Sequence, residues 1–109
     1  MKHVKYAEKS VLVGDDAADT LMDYARVLAS EGSADTVTLR VVSPDGNIVD
    51  ASFLLTPSTE LMVESTNSQL EEPDNWETVQ EMRDRIASSR STVVTETEPP
   101  WILESTEEI

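Results

Sequence analysis

The stretch TVTLRVVSPDGNIVDASFLL, residues 36–55, decides the fold because a turn motif separates two strand-like segments. Pro44-Asp45-Gly46 is typical of a three-residue hairpin loop, with glycine where the backbone becomes left-handed. This loop places Ser43 opposite Asn47 and therefore determines every other pair of the hairpin. The pairs predicted on the buried face are Val41 with Val49, Leu39 with Ala51, and Val37 with Phe53.

The opposite face of the same hairpin combines polar and apolar pairs. These pairs are Val42 with Ile48, Arg40 with Asp50, and Thr38 with Ser52. The register was set by the turn alone, yet it places the opposite charges of Arg40 and Asp50 next to each other. This agreement between independent features supports the predicted register.

Strand-like segments also flank the hairpin on both sides. Downstream, after the turn-like Thr56-Pro57-Ser58-Thr59, Leu61 and Val63 alternate with other residues and predict a third antiparallel strand. Upstream, the run Val11-Leu12-Val13 predicts a short strand. The single histidine, His3, lies in an N-terminal segment for which we expect no regular structure.

Two segments have the three- and four-residue spacing of amphipathic helices. The first helix is predicted over about residues 16–31, ending at Gly32. The second is predicted over about residues 75–88 and begins near Asp74. The apolar residues of its predicted buried face are Trp76, Val79, Met82 and Ile86.

These elements predict a two-layer α+β sandwich in which both helices cover one face of an antiparallel sheet. The sheet consists of a β-meander over about residues 36–65 and the short N-terminal strand. A chain of 109 residues has the size of one domain, which we place at residues 1–90. Residues 91–109 are acidic and rich in serine and threonine, so we expect a flexible tail.

Charge is the most unusual feature of the composition, because 22 acidic and 8 basic residues give a net charge of -14. Residues 55–109 carry 13 of the acidic residues and only 3 of the basic ones. Such a field repels phosphate backbones and anionic membranes, so we expect neither direct nucleic-acid binding nor membrane binding. A basic protein is the complementary partner.

The sequence lacks the residue patterns of common catalytic and cofactor sites. It contains no cysteine, one histidine and three glycines, which disfavours thiolate chemistry and glycine-rich phosphate loops. Asp15, Asp19 and Asp23 recur at four-residue spacing, which could present oxygens to a cation but is also typical of a solvated helix face. We predict no cofactor, no metal site and no enzymatic activity, with a carboxylate-based enzyme as an alternative.

Two sets of apolar residues are candidate partner-binding sites. The first lies on the outer face of the predicted sheet, where a sheet covered on one side is normally polar. Its members are Val42, Ile48, Leu54 and Met62. The second is an apolar island in the acidic tail that could anchor in a groove while neighbouring carboxylates meet a basic rim. Its members are Trp101, Ile102 and Leu103.

Together these features predict a small, non-enzymatic interaction module that binds a basic partner protein, such as an adaptor, an inhibitor or an immunity-like factor. A structural homodimer formed through the outer sheet face is the main alternative. The longest apolar runs are far shorter than the roughly 20 residues of a membrane span, and the N-terminus lacks the apolar region of a signal peptide. We therefore expect a cytoplasmic location.

Overall fold

The computed structural model describes residues 1–97 and has a two-layer α+β fold, as the sequence predicts. Within these residues, one layer is an antiparallel sheet of five strands and the other consists of two helices. The elements in chain order are β1 (Lys2–Tyr6), β2 (Lys9–Val13), α1 (Asp15–Glu31), β3 (Asp35–Val42), β4 (Ile48–Leu55), β5 (Leu61–Ser65) and α2 (Trp76–Thr97). The strand order across the sheet is β4-β3-β2-β1-β5.

The hairpin of β3 and β4 has the predicted register at every predicted pair. The Ser43 amide donates to the Asn47 carbonyl at 2.8 Å, and the Gly46 amide closes the turn on the Ser43 carbonyl at 2.9 Å. Gly46 has a φ of +90°, which glycine adopts without the steric penalty of a Cβ. The buried side chains of the hairpin's inner face are Val37, Leu39, Val41, Phe53 and Leu55.

The N-terminal segment is a strand, so the prediction that it has no regular structure is wrong. β1 pairs antiparallel with β2, and Ala7 turns the chain between them with a φ of +57°. Val4 lies in the middle of β1 and is completely buried. Its immediate neighbours are polar or basic, so the apolar alternation is too short to be recognised from the sequence.

The third strand of the predicted meander exists, but it does not lie beside β4. β5 pairs with β1 at the opposite edge of the sheet, where Val63 is opposite Val4. Tyr6 of β1 contacts the far end of β4, because its hydroxyl donates to the Leu54 carbonyl at 2.7 Å and its ring packs edge-on against Phe53. The turn after β4 does not determine which free edge receives β5, because strand order depends on contacts that are distant in sequence.

Both helices lie on one face of the sheet and share one apolar core with it. α1 ends as predicted before Gly32, which has a φ of +68°. α2 starts as predicted but continues through Thr97, past the predicted end near residue 88 and into the segment predicted to be a tail. The helical members of the core are Ala17, Ala18, Leu21, Tyr24, Leu28, Val79, Met82 and Ile86.

A polar cluster beside this core joins three elements. The Tyr24 hydroxyl of α1 donates to the Asp35 carboxylate of β3 at 2.5 Å, and the Arg85 guanidinium of α2 donates to the same oxygen at 2.8 Å. The Tyr24 hydrogen bond is the main cause that holds the pKa of Asp35 below its usual range, with contributions from the Thr36 amide and the Arg85 charge. Burial, followed by the bond to Asp35, raises the pKa of Tyr24. The phenol therefore stays protonated as a donor while the carboxylate stays ionised as an acceptor.

Candidate partner-binding surfaces

Val42, one of the four residues predicted on the outer face of the sheet, is not available to a partner. Its side chain is only 4% exposed. It borders a cavity of about 390 Å³ that is also lined by Leu12, its cross-strand neighbour on β2, and by Leu70 from the loop before α2. Val42 is therefore not exposed as predicted, although Ile48, directly opposite it on β4, is exposed.

Ile48, Leu54 and Met62 are exposed as predicted, but Ile48 and Leu54 are not contiguous. About half of each side chain is accessible. Ile48 and Leu54 lie six residues apart on the same side of β4, which separates them by about 20 Å at 3.3 Å per residue. Met62 lies on β5, at the opposite edge of the sheet.

The centre of the outer face, between Ile48 and Leu54, is polar. Asp50 forms an ion pair with Arg40, with 3.6 Å between Oδ1 and Nε. The hydroxyls of Ser52 and Thr38 are hydrogen-bonded at 2.8 Å. The predicted outer-face patch is therefore interrupted by two polar cross-strand pairs.

The other predicted set, Trp101, Ile102 and Leu103, lies outside the described residues and stays a prediction.

The most exposed large apolar side chain in the described part of the chain is Trp76, the first residue of α2. Its exposed fraction is 68%. Trp76 lines a cleft of about 350 Å³ between the beginnings of α1 and α2. The charged residues of this cleft are Asp16, Glu72, Asp74 and Arg83.

The cleft continues along the two helices into a second cavity of about 450 Å³, because Asp16 and Arg83 line both. Asp19 and Asp23 extend the acidic wall of this second cavity. We call the combined surface the helix groove. It is defined by Asp16, Asp19, Asp23, Glu72, Asp74, Trp76 and Arg83.

The aspartates that recur at four-residue spacing along α1 form ion pairs. Among the side chains that the structure describes, residues 1–89, no group of three acidic or histidine residues is arranged to hold a metal ion. The hydrogen bond to Asp19 is the main cause that raises the pKa of Lys2. The pairs are Asp15 with the Met1 amino group at 3.3 Å, Asp19 with Lys2 at 2.8 Å, and Asp23 with Arg26 at 2.5 Å.

Asn75 fixes the Trp76 end of the groove to the sheet. Its side-chain amide accepts from the Arg40 N–H at 2.7 Å and donates to the Arg40 carbonyl at 2.9 Å. A neighbouring strand would form the same two hydrogen bonds with Arg40. The Asn75 side chain forms them instead, because β2 ends before it reaches this position. The Asp74 carboxylate also accepts from the Trp76 amide at 3.0 Å. The start of α2 is thereby attached to β3.

Glu72 lies close to the start of α1 because Gly14 has no side chain. A Cβ on Gly14 would lie 1.8 Å from Oε2 of Glu72. The N-terminus of a helix favours nearby carboxylates, and Asp15 and Asp16 belong to the first turn of the same helix. Negative charge is therefore concentrated at the end of the groove that contains Trp76.

The sequence places Trp76 on the buried face of α2, and the structure contradicts this. Val79, Met82 and Ile86 are buried as predicted. At 3.6 residues per turn, Trp76 lies about 60° from Val79 and about 120° from Met82, at the border of the buried face. These angles could have indicated from the sequence that Trp76 is exposed. A residue in the first turn, at the border of the buried face, can extend past the sheet.

No helix in the described part of the chain combines the length and the apolar character that a membrane span requires. Comparison of the chain with protein-family models, with curated proteins and with solved structures gave no match. The function is therefore argued from the geometry and the charge of these surfaces.

Proposed function

We propose that this protein is a small, non-enzymatic interaction module that binds a basic segment of a partner protein in the helix groove. The observation that supports this most is Trp76, which is 68% exposed beside the carboxylates of Asp16, Glu72 and Asp74. An indole in this position contributes little to the core. Tryptophan is also among the residues most enriched at the energetic centres of protein interfaces.

The chemistry of the groove fits a lysine or, better, an arginine side chain. A cation over the face of an exposed indole contributes about 0.5–1 kcal/mol. Charge-assisted hydrogen bonds to carboxylates are stronger than neutral ones, and Asp16 and Glu72 can both accept them. Arginine can stack on Trp76 and bond to a carboxylate at the same time because its guanidinium is planar.

The charge of the whole chain supports the same class of partner. A net charge of -14 accelerates association with a basic protein and makes the rate sensitive to salt. Asp19 and Asp23 already pair with Lys2 and Arg26, so we place the principal contacts at the Trp76 end of the groove.

Affinity capture from the native organism, followed by calorimetry with the identified partner, tests the proposal. We expect Trp76→Ser to weaken binding by about tenfold or more, as for a central interface tryptophan. The double variant Asp16→Asn/Glu72→Gln should weaken binding at low salt and reduce its dependence on salt, because two charges are lost.

Two matched variants control for exposure and for charge. Leu70→Ser removes an exposed apolar side chain outside the groove, and Glu64→Gln removes an exposed charge on β5. Both should bind the partner as the wild type does. A partner whose affinity is unchanged by Trp76→Ser and by the double variant would contradict the proposed site.

A further inference from the structure

The free edge of β4 is a second surface on which a partner can bind. Among the described strands, β4 is terminal in the sheet and pairs with β3 alone. Because the Ser43 amide bonds to the Asn47 carbonyl, the odd-numbered residues of β4 direct their backbone groups toward β3. The residues that direct N–H and C=O groups away from the sheet are therefore Ile48, Asp50, Ser52 and Leu54.

One end of this edge is already closed. The outward carbonyl of Leu54 accepts from the Tyr6 hydroxyl at 2.7 Å and from the Thr59 hydroxyl at 3.2 Å. The other end is the hairpin turn at Pro44-Asp45-Gly46. A strand that approaches this edge can therefore pair with residues 48–52.

Apart from the charge of Asp50, residues 48–52 lack the devices that normally keep an exposed strand edge from pairing. The segment contains no proline and no lysine, and its register with β3 has no bulge. Ile48 is 54% exposed on the outer face, and Val49 is 42% exposed on the inner face. An added strand would cover apolar surface on both faces as well as backbone groups.

Charge decides which strand fits this edge. Antiparallel pairing with a second copy, centred on the free segment, places Asp50 opposite Asp50 of the other copy, and like charges in this position are destabilising. Residues 98–109 of the chain contain four glutamates and neither lysine nor arginine, so they do not complement Asp50. The Asp50 side chain is 71% exposed, and its ion pair with Arg40 at 3.6 Å lies only on the side toward β3. The complementary occupant is a strand from a different protein with a basic residue at this position.

We propose that residues 48–52 of β4 bind an extended segment of another protein by strand addition, with a lysine or arginine of that segment opposite Asp50. The outward backbone groups of Ile48, Asp50 and Ser52 provide the hydrogen bonds, and the charge pair provides selectivity. This site is separate from the helix groove and does not depend on the function proposed for it.

Amide hydrogen exchange, measured residue by residue by NMR, tests the site with a synthetic peptide. The probe is acetylated and amidated Thr-Val-Thr-Lys-Thr-Val-Thr. We expect it to slow exchange at Ile48, Asp50 and Ser52 by about tenfold or more, because these amides gain hydrogen bonds. The amides of Val49 and Ala51 already bond to β3 and should not change. A matched peptide with glutamate at its centre should bind about fivefold more weakly.

Two variants separate backbone pairing from charge. Ser52→Pro removes an outward N–H that β3 does not use, so it should abolish binding of the peptide. Slow exchange at Val49 and Ala51 in this variant, without peptide, verifies that the hairpin is still formed. Asp50→Asn should reduce the preference for the lysine peptide over the glutamate peptide, because the local charge pair is lost and only the net charge of the chain still favours lysine. Trp76→Ser should leave binding of the lysine peptide unchanged.

The proposal is overturned by either of two results with the wild-type protein. One is unchanged exchange at Ile48, Asp50 and Ser52 at millimolar concentrations of the lysine peptide. The other is equal affinity for the lysine and glutamate peptides. Both results are independent of whether the helix groove binds a basic partner.

Discussion

At the scale of single residues, Asp35 connects the sheet to both helices through hydrogen bonds to one carboxylate. Tyr24 and Arg85 donate to one oxygen, while the Thr36 amide donates to the other at 2.8 Å. All three donors favour the ionised carboxylate. The cluster is therefore strongest at a pH at which Asp35 is charged.

Replacing Tyr24 by phenylalanine should reduce stability in a pH-dependent way. The folded-state pKa of Asp35 is below its unfolded value of about 3.9, so its stabilisation is complete above that value and is lost as the pH falls through the folded pKa. Tyr24→Phe removes the largest cause of this shift. Urea unfolding should give a loss of about 1 kcal/mol at pH 7 and a smaller loss at about pH 3, below the unfolded pKa.

Tyr6→Phe is the matched control for this prediction. The Tyr6 hydroxyl also donates one hydrogen bond, but its acceptor is the uncharged carbonyl of Leu54. The cost of Tyr6→Phe should therefore be the same at both pH values. A cost of Tyr24→Phe that is equally independent of pH would contradict the role assigned to Asp35.

At the scale of elements, the side chain of Asn75 attaches α2 to β3. It satisfies both the N–H and the carbonyl of Arg40 beyond the point where β2 leaves the sheet. Unpaired backbone groups are costly when they are shielded from water. The Asn75 amide therefore helps to orient the start of α2, and with it Trp76, together with the core packing of α2 and the Arg85 bond to Asp35.

Asn75→Ala should destabilise the protein by about 1–3 kcal/mol, because two hydrogen bonds to the backbone are lost. Urea unfolding measures the change in the free energy of unfolding. Amide exchange at Arg40 should also become faster, since its acceptor is removed. Asn67→Ala, an exposed loop position, is the control and should change neither quantity. Unchanged exchange at Arg40 in Asn75→Ala would rule out this attachment.

The hairpin and α1 illustrate which elements could be predicted. Pro44-Asp45-Gly46 determines the hairpin register within a few residues, and Gly32 ends α1 by its left-handed conformation. Trp76 belongs to the same helix as the buried Val79, but the exposure of Trp76 depends on how far the sheet extends beneath α2. The helix groove could not be predicted for this reason, since it is formed by two helices and a loop that are distant in sequence.

At the scale of the whole molecule, the net charge of -14 opposes the compact state through self-repulsion. This net charge already counts the basic partners of salt bridges such as Lys2 with Asp19 and Arg85 with Asp35, so the excess of negative charge remains in the folded protein. Repulsion is stronger in the folded than in the expanded chain, because the charges are closer together.

Added sodium chloride should therefore stabilise the protein. The Debye length falls from about 30 Å at 0.01 M salt to about 3 Å at 1 M, so repulsion among surface carboxylates is screened. The midpoint of urea unfolding should rise across this range. Asp16→Asn/Glu72→Gln should show a smaller rise, because two charges of the groove are removed. A midpoint that is constant or falls with salt would show that repulsion does not limit stability.

The sequence by itself determined the α+β class, the register of β3 with β4, the end of α1 and the buried positions of α2 after its first turn. Each of these depends on turn chemistry or on periodicity within about 20 residues. Only the tertiary structure decided that β5 pairs with β1, that Val42 is enclosed and that Trp76 is exposed. Those outcomes depend on which distant surfaces meet, and a single sequence carries no local signal for that choice.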